Sequence, residues 1–324
     1  MLVSVLLFAV GLVLLIKGGD WFVDGAVGIA KRFNLPDIVV GATVVSIGTT
    51  LPEVMVSTTG ALAGSGAMAY GNAIGSIICN TALIAAISIV CNPGPVNVKS
   101  MKTPAIFFFC SAAMYCLAAY GLGTFPRWMG FVMLAIFVAY TLLTVRNGMK
   151  NPDAGAEEEE EGGKPKKLWQ ELLLLVIGAA VIAVGADLLV DHGQIIAIEL
   201  GVPETVVALL FVALGTSLPE LVTTITSLKK GRASLGVGNV IGANVFNLVL
   251  VSGVAVSLAP FDVPVENTLL DTGLNLSLVF DIPVMLGVMS LMIFPALLGK
   301  KLSRWQGIAL LCIYAAFCVC QFVL

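Results

Sequence analysis

The sequence predicts an all-α membrane protein, with ten transmembrane helices arranged as two inverted five-helix repeats. Three observations predict it. First, 58% of the 324 residues are hydrophobic and 11% are charged, with a mean hydropathy of +1.02. An ordinary soluble domain carries roughly 25% charged residues, and a globule of this size cannot hide so much apolar surface from water. A soluble enzyme, a nucleic-acid binder and a disordered scaffold are therefore excluded. Second, apolar runs of about 20 residues recur, the length a helix needs to cross a bilayer, whereas a barrel would alternate in ~10-residue segments. Third, the first half of the chain is echoed in the second half at a constant offset of 167 residues.

In chain order the apolar segments are 2–30, 35–60, 69–90, 104–122, 128–147, 168–195, 203–228, 236–258, 272–297 and 305–324. The run from Leu2 to Ile16 lacks a basic leader and a small-residue cleavage site, so it reads as the first span. Segment 2–30 has 29 residues, about 43 Å as a helix, too long to stand upright in a ~30 Å core. Within it Lys17, Asp20 and Asp24 fall at i, i+3 and i+7 and read as an internal ion pair. Asp37 and Glu204, each just after a proline, read as first-turn helix residues favoured by the dipole.

Residues 148–167, GMKNPDAGAEEEEEGGKPKK, are polar and rich in Gly and Pro. They predict a flexible linker, with its acidic run solvated, between a first repeat at 1–147 and a second at 168–324. Placing the N-terminus outside puts 15 of the 17 Lys and Arg residues in inside loops. By the positive-inside rule both termini are then outside and the linker is cytoplasmic, in a multi-pass protein of the cell (inner) membrane. The seven cysteines lie mostly in apolar stretches without metal-ligand or disulfide spacing, and read as small core residues. His192, the only histidine, falls near a predicted outer helix end and reads as a surface residue.

The repeat decides the architecture. Adding 167 takes Asp20 to Asp187, Asp24 to Asp191 and Pro36 to Pro203. It also takes GTTLPE (48–53) to GTSLPE (215–220) and GNAIGSIICN (71–80) to GNVIGANVFN (238–247). Five spans is an odd number, so the second copy enters the bilayer from the opposite side. Inverted repeats of this kind build many secondary transporters, with a site at the midplane.

Glu53 and Glu220 sit mid-span at equivalent positions. An ionised group there is expensive unless it is paired, hydrated or holding a cation. Two such residues near a pseudo-two-fold axis converge. On a helix Ser46, Thr49, Thr50 and Glu53 share one oxygen-lined face, mirrored by Ala213, Thr216, Ser217 and Glu220. Pro52 and Pro219 free carbonyls near Gly48 and Gly215, so a broken helix offers backbone oxygen beside the carboxylates. Asn80 and Asn247 supply amide oxygens from Gly-rich helices, and Ser76 a hydroxyl one turn before Asn80, where its counterpart is Ala243. Asn72 and Asn239 read equally as ligands or as helix-to-helix glue. Carboxylate, hydroxyl, amide and carbonyl oxygens suit calcium or sodium rather than zinc, copper or iron. The same carboxylates cannot hold both loads at full strength, and that competition is a physical basis for exchange.

At these paired motifs the chain resembles the cation/calcium exchanger superfamily, in its sodium/calcium exchanger-like branch. The resemblance implies a ten-helix antiporter, not an enzyme, that exchanges calcium for sodium by alternating access and uses no cofactor. Its partners are inorganic cations and the lipid bilayer, not nucleic acid. Long first and sixth helices would slide past an eight-helix core. Glu53, Glu220, Thr49 and Thr216 would form the calcium site, the threonines through backbone carbonyls. Sodium pockets would use Ser46, Thr50, Ser76, Asn80, Ala213, Ser217 and Asn247, with Ser46 and Ala213 acting through backbone oxygen. Some members, potassium-dependent ones among them, carry an acid where this chain has Asn247, so asparagine leans against potassium co-transport. Ala243 replaces a serine often found there. The alternative is a proton-driven antiporter of calcium or another divalent cation, with a proton replacing the metal on a buried glutamate. An intramembrane aspartyl protease needs an aspartate dyad, which these glutamates in matching repeats do not provide. A passive channel is disfavoured by tight carboxylate sites, which slow ion release.

Overall fold

The computed structural model describes residues 2–150, 167–200, 215–264 and 275–323. Most of the linker, the first half of segment 203–228 (Pro203, Glu204 and Ala213 included) and residues 265–274 lie outside these. Among the described residues eight helices are long and apolar enough to cross a membrane, and a bent pair, Asp37–Thr49 with Leu51–Leu62, makes a ninth if it is taken as one span. The chain is a multi-pass helical membrane protein.

The helices are α1 (Leu2–Arg32), α2 (Asp37–Val40), α3 (Ser46–Thr49), α4 (Leu51–Leu62), α5 (Gly66–Cys79), α6 (Ala86–Cys91), α7 (Val98–Cys116) and α8 (Arg127–Met149). After the linker come α9 (Leu168–Glu199), α10 (Leu218–Lys229), α11 (Ala233–Phe246), α12 (Ser252–Leu258), α13 (Ile282–Gly299) and α14 (Arg304–Val323). Single π-helical turns at Asn80–Ala85 and Asn247–Val251 join α5 to α6 and α11 to α12. Two short antiparallel ribbons close the ends: β1 (Gly94–Pro95) with β4 (Lys301–Leu302), and β2 (Thr124–Phe125) with β3 (Phe261–Asp262).

Burial sorts the helices by position. The most apolar window of the α11–α12 span is 89% buried and that of α5–α6 is 72%, against 22% in α9. The two most buried spans carry the GN…N motifs, so those motifs run through the centre of the bundle. Leu2 and Leu298, at 74% and 85% exposure, belong to the faces turned to lipid. Helices α1 and α9 pack against each other antiparallel along small residues. A Cβ at Gly11 would lie 2.9 Å from the Gly185 carbonyl oxygen, and one at Gly18 3.1 Å from that of Gly178. Only glycine lets the backbones approach so closely. These two helices share a second apolar cluster, distinct from the larger core, with Val40 of α2, with Val45 and with Leu235 of α11; Leu218 and Val222 of α10 pack against it.

Many contacts recur under translation along the sequence. Gly11 and Gly18 become Gly178 and Gly185 on adding 167. The ribbon β1–β4 becomes β3–β2 when 167 is added to Gly94 and 177 subtracted from Leu302. Arg127 donates to the Leu258 carbonyl oxygen at 3.2 Å, and Arg304, 177 residues on, donates to that of Val90 at 3.1 Å.

Several sequence expectations are corrected. Asp20 and Asp24 pair not with Lys17 but with Lys230 at the end of α10, at 3.7 and 2.7 Å. The end of α10 abuts α1 there, which a reading confined to one helix cannot see. Asp37 is in the first turn of α2 as expected, yet it is buried and holds Arg232 at 3.2 Å. Of the cysteines only Cys79 is in the core, and Cys91, Cys110 and Cys312 are exposed. Apolar stretches in a membrane protein face lipid as often as protein. His192 lies half-buried within α9, which runs on to Glu199, rather than at its end.

Candidate functional site

The two carboxylates stand where helices begin. Backbone helicity breaks at Thr50 (φ −85°, ψ −2°) and again at Ser217 (φ −90°, ψ 2°), and a new helix starts one residue later. The first break bends its span by 44°. Pro52 and Pro219 therefore occupy the first turns of α4 and α10, where a missing N–H costs nothing. Glu53 and Glu220 sit in those same first turns, at the positive end of each helix dipole.

Thr50-Leu-Pro-Glu53 and Ser217-Leu-Pro-Glu220 have the spacing of a capping box, in which hydroxyl and carboxylate satisfy the backbone reciprocally. Neither hydroxyl caps its helix. Both carboxylates are fully buried, and all four of their oxygens lack a hydrogen-bond partner among the described residues. The Thr50 and Ser217 hydroxyls and the Asn80 and Asn247 side-chain carbonyls are likewise buried and unpartnered. Eight side-chain oxygens on six residues are thus turned inward, and the six residues form three pairs 167 positions apart. A buried polar atom left unpaired costs about 1–3 kcal/mol, so so many in one place mark a site built for something else.

Packing brings these groups together. The Glu53 and Glu220 carboxylates are near enough to act on one another electrostatically. Thr49 and Thr50 adjoin the Glu220 carboxylate, and Ser217 adjoins Cys79, next to Asn80. Helix α10 packs on the π-helical turn that begins at Asn80, and α4 on the turn that begins at Asn247. Such turns widen a helix by one residue and are frequent at functional sites.

Of the residues singled out from sequence, Glu53, Glu220, Thr50, Ser217, Asn80 and Asn247 supply the inward oxygens. Thr49 and Thr216 sit at the helix breaks with hydroxyls engaged elsewhere: Thr49 donates to Asn239 Oδ1 at 3.2 Å and Thr216 to Asn72 Oδ1 at 3.3 Å. The Ser46 hydroxyl is 2.8 Å from the Gly41 carbonyl and 2.9 Å from that of Asn239. Ser76 is buried on α5, one turn before Asn80. Ala213 lies outside the described residues. Asn72 and Asn239 act as glue, linking the breaks of one half to the central helix of the other.

Some polar residues escaped the sequence reading. Asp281, a carboxylate inside the span Ser277–Gly299, accepts from Ser277 Oγ at 2.8 Å and Gln321 Nε2 at 2.7 Å, and is satisfied by these two side chains. Thr223, Thr224 and Ser227 continue the buried face of α10 beyond Glu220 with unpartnered hydroxyls. Their signal was available as i+3, i+4 and i+7 from the glutamate. Among the described residues no three His, Cys, Asp or Glu side chains cluster. The donor set is hard oxygen.

Comparisons with known proteins find relatives along the length of the chain. The family model described as sodium/calcium exchanger protein matches residues 3–146 and 171–323. The chain is 34% identical to an uncharacterised membrane protein, MJ0091, of Methanocaldococcus jannaschii, covering 95% of this chain and 94% of that one. It is 29% identical to the sodium/calcium exchanger MaX1 of Methanosarcina acetivorans, covering 99% of each. A solved structure of the sodium–calcium exchanger NCX_Mj, soaked with sodium and strontium, superposes with a TM-score of 0.79 at 34% identity over 97% of both chains.

Proposed function

The chain belongs to the sodium/calcium exchanger protein family, a family of cation antiporters, and from that premise we propose that it exchanges calcium for sodium at a midplane site between Glu53 and Glu220. The observation that carries the proposal is the set of eight inward, unpartnered oxygens in three repeat-related pairs. Two carboxylates of charge −1 each balance one calcium ion, and seven or so oxygen ligands are what calcium takes. Glu53, Glu220 and the backbone carbonyls of Thr49 and Thr216 hold calcium. That role is supported by their place at the two helix breaks, three residues before Pro52 and Pro219, which cannot continue the backbone ladder. Thr50, Ser217, Ser76, Asn80 and Asn247, with the backbone of Ser46 and Ala213, line flanking sodium pockets. Sodium entering those pockets draws on the same carboxylates, which weakens calcium and lets it leave. Neutral hydroxyl and amide oxygens around the acids favour sodium over a proton as the counter-ion, since a proton needs no cage.

The architecture we propose is ten spans in two inverted repeats, with residues 148–167 cytoplasmic, both chain ends outside, and the protein in the cell membrane. It is supported by the antiparallel packing of α1 on α9, by the repeat-related ribbons and arginine contacts, and by the distribution of Lys and Arg. That α1 and α9 meet α2, α10 and α11 through a smaller apolar cluster distinct from the main core supports their sliding past the remaining helices. The test is calcium uptake into vesicles reconstituted with the protein, under an imposed sodium gradient and with the proton gradient collapsed by a protonophore. Uptake that follows the sodium gradient is expected. Uptake that needs the proton gradient overturns the sodium reading in favour of proton coupling.

A further inference from the structure

The two asparagines behind the site are related by the repeat yet are differently bonded. Asn72 is saturated: its Oδ1 accepts from Thr216, and its Nδ2 donates to Ser57 Oγ at 2.8 Å and to the Glu53 carbonyl oxygen at 3.3 Å. Asn239 makes the matching acceptor contacts, with Oδ1 3.2 Å from both Ser46 and Thr49 hydroxyls. Its Nδ2 has no partner among the described residues, although the residue is fully buried. The group that corresponds to Ser57 is Thr224, 167 residues on, and its hydroxyl is also buried and unpartnered. The two are close at hand: Thr224 lies under Gly236, where a Cβ would be 3.2 Å from the Thr224 Cα, one turn from Asn239. A donor and an acceptor so placed and not joined each carry a desolvation penalty that a small shift of α10 along α11 would remove.

We propose that Asn72 and Asn239 are alternating clamps, each amide fastening its neighbouring glutamate-bearing half-helix in only one of the two facing states of the transport cycle. The inference rests on the exchange reading for the existence of that cycle. In inverted repeats, exchanging the conformations of the two halves reverses which side is open. The state described here has the Asn72–Ser57 bond made and the Asn239–Thr224 bond unmade. In the opposite state Asn239 holds Thr224 and the Glu220 carbonyl, and Asn72 lets go of Ser57 and Glu53. The clamp reaches the ion site through the backbone of the glutamate itself, so it fixes where each carboxylate stands without touching the cation. Asn72 and Asn239 are positioning residues.

The test uses the full chain in nanodiscs without calcium, read by hydrogen–deuterium exchange over residues 51–62 and 218–229. Ser57→Ala removes the acceptor of the bond that is made. It should shift the ratio of states about five-fold toward the opposite one, the weight of one buried hydrogen bond, with faster exchange in 51–62 and slower exchange in 218–229. Thr224→Val removes the acceptor of the other bond and should move the ratio the opposite way. Ser57→Thr and Thr224→Ser keep the hydroxyls and should restore the wild-type pattern, which a merely structural defect would not. Shifts in the same direction, or none in chains that elute as the wild type does, overturn the clamp whether or not vesicles exchange calcium for sodium. Opposite shifts in a chain that takes up no calcium support the clamp while overturning the cargo reading.

Discussion

Glu53 and Glu220 take their meaning from what surrounds them rather than from their charge alone. Each begins a half-helix in an N-terminal sequence that could have capped itself, and each leaves its oxygens to the interior. Glu53→Gln or Glu220→Gln keeps the shape and removes the charge. Calcium uptake in reconstituted vesicles should fall by about 10- to 100-fold, the loss of a charge-assisted contact of about 1.5–3 kcal/mol, while elution and helix content are unchanged. Wild-type uptake in either variant would remove the site from these residues. Thr50→Ala deletes an inward hydroxyl but no charge. It should raise the sodium concentration needed for half-maximal exchange more than the calcium concentration, and equal rises in both would argue against separate pockets. The pairing of these residues was legible in the sequence because two closely matching patterns, GTTLPE and GTSLPE, at a fixed offset single them out. Their local setting was legible too, since Ser/Thr-x-x-Glu around a proline signals a helix start. The break was expected from Pro52 near Gly48, and the structure sets it two residues on, at Thr50. Asp281 was visible as an intramembrane acid, but its satisfaction by Gln321 depends on a helix 40 residues away and is not written locally.

At the scale of elements, the apolar segments predicted most helices to within a few residues: segment 2–30 is α1 at Leu2–Arg32 and segment 168–195 is α9 at Leu168–Glu199. Hydropathy gives length, and length in a bilayer is nearly decisive. What it does not give is which face meets protein, so the exposed cysteines were misplaced. Glycine does report it, after the fact. A Cβ at Gly11 would come within 2.9 Å of both the Gly185 carbonyl oxygen and the Leu189 amide nitrogen, and backbone cannot step aside. Gly11→Val should therefore lower stability by about 1–3 kcal/mol through overpacking, seen as a lower Tm of the detergent-solubilised protein. Gly287→Ala in α13, where a Cβ meets nothing within 4 Å, should leave Tm unchanged or raise it. If Gly11→Val melts with the wild type, the close crossing of α1 and α9 is not what holds them.

Among the described residues the two halves share helix breaks, ribbons and close glycine contacts but differ in charge. Lys230, at the end of α10, ties Asp20 and Asp24 of α1, and its Nζ also donates to the Asp20 carbonyl oxygen at 2.9 Å. Arg232 ties Asp37, and Arg32 ties Glu171 at 3.1 Å. By the Lys and Arg distribution all three ties belong to the linker side of the bundle. The counterparts of Asp20 and Asp24 are Asp187 and Asp191 near the other end of α9, and the position matching Lys230 is Ala63. Among the described residues Lys230 straps the linker-side part of α1 to α10 by charge, and its repeat-related position, Ala63, cannot do the same, an asymmetry that the offset in sequence conceals because it lies in the residues that fail to match. If α1 and α9 move together against the core, the strap biases the molecule toward the state closed on the linker side. The Lys230 pair is partly exposed, so its weight is about 0.2–1 kcal/mol, and Lys230→Gln should shift the balance by about 1.4- to five-fold. Vesicles sorted by protein orientation should then show a lower half-saturating calcium concentration on the linker side and a higher one on the other, with the difference shrinking at high ionic strength in the wild type but not in the variant. Equal changes on both faces would mean that Lys230 serves the stability of α10 alone and that charge does not set the resting orientation.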